Sequence, residues 1–236
     1  MKLIKKTPEK IVFIEKTNES LVNSIRRSVG LIPIMAIDEL EISKNDSALY
    51  DETVAHRMGL LPIKMEKSWK DDTVLKLKLN VKKEGMVYSG ETKGECEFVH
   101  DKIPITLLKK DQELKIKATT KMGLGKNHAK FSPGILFYRN LTEITLDKSF
   151  EEEIKKIFPD SNISTKGNKI VVKDDGEKSL VDFCEGLAVK AKKEIEVKDT
   201  DEIVVTIESF GQISAEDMFK KSVEALKKRL KEVKLK

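Results

Sequence analysis

The chain has 236 residues, enough to bury a substantial core in one large domain or in about two or three small ones. Its hydrophobic content of 39% permits folding, while 36% charged residues is heavy for a self-contained enzyme. Lysine and arginine total 45 against 40 acidic residues, a surplus too mild and too well mixed to make a nucleic-acid-binding stripe; it permits peripheral contact with phosphate and no more.

The first residues, MKLIKKTPEKIVFIEK, never form an uninterrupted apolar run, so they read as strand rather than signal peptide, with 11–14 the apolar part. Thr17 or Asn18 is placed to cap a helix whose first turn holds Glu19. Leu21, Val22, Ile25 and Val29 share one side of it, Gly30 takes the C′ position and Pro33 prevents continuation. Ile34, Ala36, Leu40 and Ile42 then share strand parity, with Asp38 the one interruption. A second short helix begins with Asp51 as N-cap and closes at Gly59 and Pro62. Leu75, Leu77, Leu79 and Val81 alternate with lysine and asparagine, as do Leu114, Ile116 and Ala118 with Lys115, Lys117 and Thr119: the pattern of a sheet with one wet face.

From 147 to 199 the character changes. A charged short helix at 151–156, Pro159 and a strand at 169–173 between Gly167 and Gly176 suggest a small inserted subdomain, short of large apolar residues and marginal alone. Residues 202–209 alternate as a strand, Gly211 turns the chain, and Ser214 with Asp217 resembles a capping box. Phe219, Val223, Leu226, Leu230 and Val233 follow at steps of four and three, a seam that packs either on the chain's own sheet or on another subunit.

The candidate chemical sites are poor. Cys96 and His100 have C-x3-H spacing without a second pair, and two cysteines, Cys96 and Cys184, form no disulfide framework and point to a reducing compartment. MGLGKNH at 122–128 lacks the spacing and hydroxyl of a phosphate loop, so it reads as a glycine-bent loop exposing Lys126, His128 and Lys130. Neither a nucleophile elbow nor an H-E-x-x-H pair is present, and the Asp71–Asp72 and Asp174–Asp175 pairs read as solubilising charge. Arg26, Arg27 and Arg57 stand near helix C-termini in a lysine-rich chain; this suits the helix dipole and also fixed contacts at a large interface.

NSIRR at 23–27, DETVAHRMGLLPI at 51–63, GLGKNHAKFSP at 123–133 and TIESFGQISAEDMFKKSVEAL at 206–226 resemble, in order, motifs of one family. It is the family that unites the D-type subunit of archaeal DNA-directed RNA polymerase with the bacterial alpha subunit and the third subunit of eukaryotic RNA polymerase II. The resemblance implies an α+β fold: a split alpha-like dimerisation domain of two helices on an antiparallel sheet (1–42 and 200–236), a β-rich insert domain (43–146), and a small cysteine-poor ferredoxin-like remnant (147–199). It implies a non-catalytic assembly subunit of DNA-directed RNA polymerase, a nucleotidyltransferase of transcription, in the cytoplasm. The partners expected from it are the small alpha-like subunit L, the large catalytic subunits and small zinc-binding ones, with DNA met only indirectly and no membrane contact. Leu21, Ile25, Phe219, Val223, Leu226 and Leu230 would be interface residues. Arg26 and Arg27 would face the assembly, His56, Arg57 and Gly59 the second-largest subunit, and Lys126, His128 and Lys130 other subunits. Relatives with an iron–sulfur cluster hold it through several cysteines; only Cys184 remains in that region, so no cluster is expected. Magnesium and zinc are expected only in other subunits. The alternative is a stand-alone basic nucleic-acid-binding module, which would bind DNA salt-sensitively on its own.

Overall fold

The computed structural model describes residues 1–176 and 178–232. In chain order the elements are β1 (Lys2–Lys6), β2 (Lys10–Glu15), α1 (Glu19–Ser28), β3 (Pro33–Asn45), α2 (Asp51–Gly59), β4 (Lys76–Val81), β5 (Gly85–Tyr88), β6 (Lys93–Gly94) and β7 (Pro104–Leu108). There follow β8 (Leu114–Leu124), β9 (Gly134–Asp147), α3 (Glu151–Ile157), β10 (Asn162–Lys166), β11 (Lys169–Lys173), α4 (Lys178–Ala191), β12 (Glu196–Ser209) and α5 (Ala215–Glu232). The class is α+β, and the pairings β1–β2, β3–β8, β4–β8, β5–β7, β9–β11 and β10–β11 are antiparallel. No helix among the described residues is long and apolar enough to cross a membrane.

The chain divides into two compact units. One comprises Met1–Lys6, Lys10–Val22 and Leu136–Thr206; the other comprises Thr7–Glu9, Asn23–Ile135 and Ile207–Lys236.

The first unit is built on a six-stranded sheet of order β1-β2-β12-β9-β11-β10. Two of its strands, β11 and β10, come from the 147–199 region. They extend the sheet outward from β9, with Ile170 opposite Leu146 and Val172 opposite Ile144. This supplies what the segment lacks: Ile144 and Leu146 of β9 join Phe150, Ile154, Ile170, Val172, Leu180, Cys184 and Leu187 in one buried core. Helix α4, absent from the elements that the sequence pattern predicts, contributes its apolar side to that core. Lys193 closes the region by pairing with Asp147 at 3.0 Å and donating to Ser149 Oγ at 2.9 Å.

Asp174 does not solubilise anything. Its side chain is fully buried, holds the Arg139 guanidinium through both oxygens, and accepts from the Gly176 N–H at 2.9 Å. Thr142 donates to it from both its backbone N–H and its hydroxyl, each at 3.3 Å.

Cys184 is wholly buried in the same core, and burial pushes its thiol up to about 11, with the Glu185 charge adding to the effect. Cluster ligation needs several thiolates. A lone neutral thiol among aliphatic side chains does not fit it, and among the described residues no group of three or more His, Cys, Asp or Glu is placed to hold a metal ion. Because the folded chain holds this proton more tightly than the unfolded one, the stabilising contribution is complete below about 9 and is lost as pH rises towards about 11. Iodoacetamide labelling read by mass spectrometry at neutral pH is expected to leave Cys184 unmodified in the native chain and to modify it fully in urea.

The second unit contains a four-stranded sheet, β3-β8-β4-β6, and the β5–β7 ribbon. Leu77, Leu79, Leu114, Ile116 and Ala118 face inward from the alternating strands and meet Val54 and Met58 of α2. Asp38, which breaks the strand pattern, sits at a β-bulge where the β3–β8 register shifts between Ile37 and Glu39. There it pairs with Lys130 at 2.9 Å. The extra residue lets β3 keep its apolar face inward on both sides of the irregularity.

Candidate subunit interface

Helix α1 starts as its sequence predicts. The Asn18 side chain accepts from the Ser20 N–H at 2.7 Å, Glu19 occupies the first turn, and Arg26 and Arg27 the last. Val22 is buried, Ile25 is half-buried, Leu21 is 50% exposed, and both arginines are exposed. Asn23 Oδ1 accepts from Arg26 Nε and Nη2 at 3.1 and 2.9 Å, which holds that guanidinium along the helix.

The end of α1 corrects an expectation. Helicity stops at Ser28, a tight turn of Val29–Leu31 follows, and Gly30 lies inside it without a left-handed backbone. Its smallness serves a close approach instead. A Cβ on Gly125 would lie 3.2 Å from the Gly30 Cα, and the Lys126 N–H donates to the Gly30 carbonyl at 3.0 Å. The glycine-rich loop is thus stitched to the end of α1.

Helix α2 corrects two more. Tyr50 is its N-cap, and Asp51 is its first helical residue, held by Asn45 Nδ2 at 2.8 Å. Gly59 is the last helical residue and has no left-handed backbone either. Val54 and Met58, one turn apart, anchor the helix to the core, leaving His56 and Arg57 exposed. Arg57 is partly committed within the chain: its Nη1 donates to the Ile105 carbonyl at 2.8 Å.

The glycines at the end of β8 and just after it make room for the protein's own atoms rather than for phosphate: Gly125 for the Gly30 backbone, Gly123 for a side chain. A Cβ on Gly123 would fall 2.5 Å from the Phe131 ring, which is buried. Gly123→Ala is expected to lose about 1–3 kcal/mol through overpacking, read from urea denaturation. Lys126 and His128 are exposed, and His128 Nδ1 accepts from the Lys130 N–H at 3.1 Å, which leaves Nε2–H as the ring's donor. Lys130, expected to be exposed, is instead drawn inward, donating to the Ile37 carbonyl at 3.0 Å with Phe131 beneath it. Cys96 is half-buried against the core, and burial pushes its thiol up to about 11. His100 is exposed, and its carbonyl accepts from Ser89 Oγ.

Helix α5 carries two apolar stripes. Ser214 Oγ accepts from the Asp217 N–H at 3.1 Å and donates to its carboxylate at 2.8 Å, so only half of a capping box forms. Ala215, Met218 and Ser222 are buried, and the helix packs beside the Val29–Leu31 turn. The neighbouring stripe is only partly covered: Phe219, Val223 and Leu226 are half-buried, and Leu230 is 62% exposed. Val233 lies outside the described residues.

Residues 20–151 match the RNA polymerase Rpb3/RpoA insert-domain family. Over 97% of its length the chain is 32% identical to DNA-directed RNA polymerase subunit Rpo3 of Pyrococcus horikoshii, covering 94% of that protein. The Rpo3 subunit of Pyrococcus furiosus is 31% identical over 92% of this chain and 89% of its own length. That of Archaeoglobus fulgidus is 28% identical over 95% of this chain and 92% of its own. The chain belongs to the Rpb3/RpoA family.

Within this Rpb3/RpoA chain the matched span holds Leu21, Ile25, Arg26, Arg27, His56, Arg57, Lys126 and His128, while the α5 stripe lies beyond it. Two groups that position these side chains do not stand out in the sequence analysis: Asn23 and Ile105. Asn23, three residues before Arg26 on one helix face, carried a readable signal. The Ile105 carbonyl carried none.

Proposed function

We propose that this chain is a non-catalytic assembly subunit of a DNA-directed RNA polymerase, of the archaeal D type. It forms a heterodimer with a small alpha-like subunit, subunit L, and the pair then receives the large catalytic and small zinc-binding subunits. Its place is the cytoplasm, without an iron–sulfur cluster and with magnesium and zinc held by other subunits. The dimerisation domain comprises 1–42 and 200–236, the insert domain 43–146, and the remnant 147–199.

One observation carries the reading: α5 buries one stripe on its own chain and leaves the adjoining Val223 and Leu226 only partly covered and Leu230 exposed. A helix with a second apolar stripe suits burial against another helix by ridge-and-groove packing. The relatives' name as polymerase subunits supports the identity of the assembly. Leu21, Ile25, Arg26 and Arg27 of α1 serve the same assembly, and His56, Arg57, Lys126 and His128 serve contacts with the larger subunits. The guanidinium of Arg26, already held by Asn23, loses little side-chain freedom on meeting a carboxylate or carbonyl.

Coexpression with the small alpha-like subunit, followed by size-exclusion chromatography with light scattering, is expected to give a one-to-one complex. A monodisperse chain that ignores that subunit would contradict the proposal.

A further inference from the structure

The exposed face of the β3-β8-β4-β6 sheet gathers lysines in register. Across the strands, Glu41 stands opposite Lys117, Lys117 opposite Lys78, and Lys78 opposite Lys93. In the next row Lys44 stands opposite Lys115, and Lys76 lies two residues along β4 from Lys78. Like charges placed directly across a ladder are destabilising. Acidic neighbours relieve only part of this: Glu41 pairs with Lys117 at 3.1 Å, and Asp46 and Glu113 pair with Lys44 at 3.3 Å each. Glu39 stands opposite Thr119, which lies between it and Lys76, and the Glu95 carboxylate accepts from the Lys76 N–H at 2.7 Å, so that row is mixed in charge. Among the described residues, Lys76, Lys78, Lys93 and Lys115 have no ion-pair partner.

We propose that this lysine face binds the phosphate backbone of duplex DNA, independently of sequence. The composition hides it, because a whole-chain surplus of 5 says nothing of where the sheet collects its lysines. The charge calls for a polyanion. The uncharged side chains on these rows, Asn80 and Thr119, are small and polar, with no aromatic or aliphatic group among them. Protein interfaces centre on apolar and aromatic groups and are depleted in lysine. Single-stranded nucleic acid needs aromatic rings for base stacking. Lysine, a flexible point charge without a fork, suits phosphates rather than base edges. The assembly role above neither requires this contact nor depends on it.

The test is fluorescence anisotropy of a labelled random-sequence DNA duplex titrated with the full chain at several salt concentrations. Neutralising four phosphates gives a log–log salt slope of about −3.6, a loss on the order of a hundred-fold between about 50 and 200 mM salt. Lys78→Gln, Lys93→Gln and Lys115→Gln together are expected to reduce the slope to about −0.9 while the melting temperature stays the same or rises. Lys155→Gln with Lys156→Gln, on α3, is expected to leave the slope unchanged. A triple variant that keeps the wild-type slope overturns the proposal. So does tighter binding of polyglutamate or of a single strand than of the duplex. Light scattering of the triple variant with the small alpha-like subunit reports separately on assembly.

Discussion

Leu226→Asp is expected to abolish association with the small alpha-like subunit while leaving the chain folded. Leu226 is half-buried and lies on the partly covered stripe of α5, whereas the stripe that anchors the helix to its own unit is Ala215, Met218 and Ser222. The substitution removes an apolar side chain from the contact and forces a carboxylate to lose water there. Together these cost at least about 4 kcal/mol, roughly a thousand-fold in Kd. Isothermal titration against the purified subunit measures it. Met218→Asp separates the two stripes, because that side chain is fully buried within the chain and a charge there is expected to unfold the unit. If both variants lost only binding, or both only folding, the distinction between the stripes would be wrong.

Asp174→Ala is expected to destabilise the unit that contains it by roughly 3–5 kcal/mol, because it leaves the Arg139 guanidinium without its buried counter-charge. The lower end is the expected value, since Arg139 is 28% exposed and regains some water. The loss also strips Thr142 and Gly176 of their acceptor. Replacing both partners with apolar residues, Arg139→Met with Asp174→Leu, is expected to recover most of the stability. Asp71→Ala, on an exposed turn, is expected to stay within about 0.5 kcal/mol of the wild type. Urea denaturation followed by circular dichroism at matched protein concentration reads all three. A buried carboxylate whose removal changed nothing would contradict the geometry.

The alternating strands are legible because one face of each meets a core: Leu77, Leu79, Ile116 and Ala118 fall where period two puts them. The Asn18 and Ser214 caps are legible because they act within one turn. The helix-ending glycines mislead because Gly30 answers to a contact with Gly125, ninety-five residues away in sequence, and not to local backbone strain. Helix α4 did carry a local signal that the sequence analysis does not use: Leu180, Val181, Cys184, Leu187 and Ala188 recur at helical spacing, and that side packs on Ile144, Leu146, Ile170 and Val172. Asp174 looks like one of a pair of surface acids because Arg139, which explains it, sits on β9, thirty-five residues away in sequence. In the interface, the apolar α5 stripe and the arginines are visible as residue types at helical spacing. Which stripe stays only partly covered, and which cations the chain uses for itself, depends on packing that no local pattern encodes. Lys130 looks free in the sequence and is tied to Asp38 at the bulge. The lysine face is invisible along the chain because its rows exist only once the register of four strands is set.

Hydrogen exchange of α5, followed by mass spectrometry with and without the small alpha-like subunit, probes the covering of this stripe most directly. Peptides spanning Phe219 to Leu230 are expected to gain strong protection in the complex, while those from β4 and β8 keep the rates of the free chain. Unchanged exchange along α5 in a sample containing both chains would mean that this helix is not where another polypeptide docks.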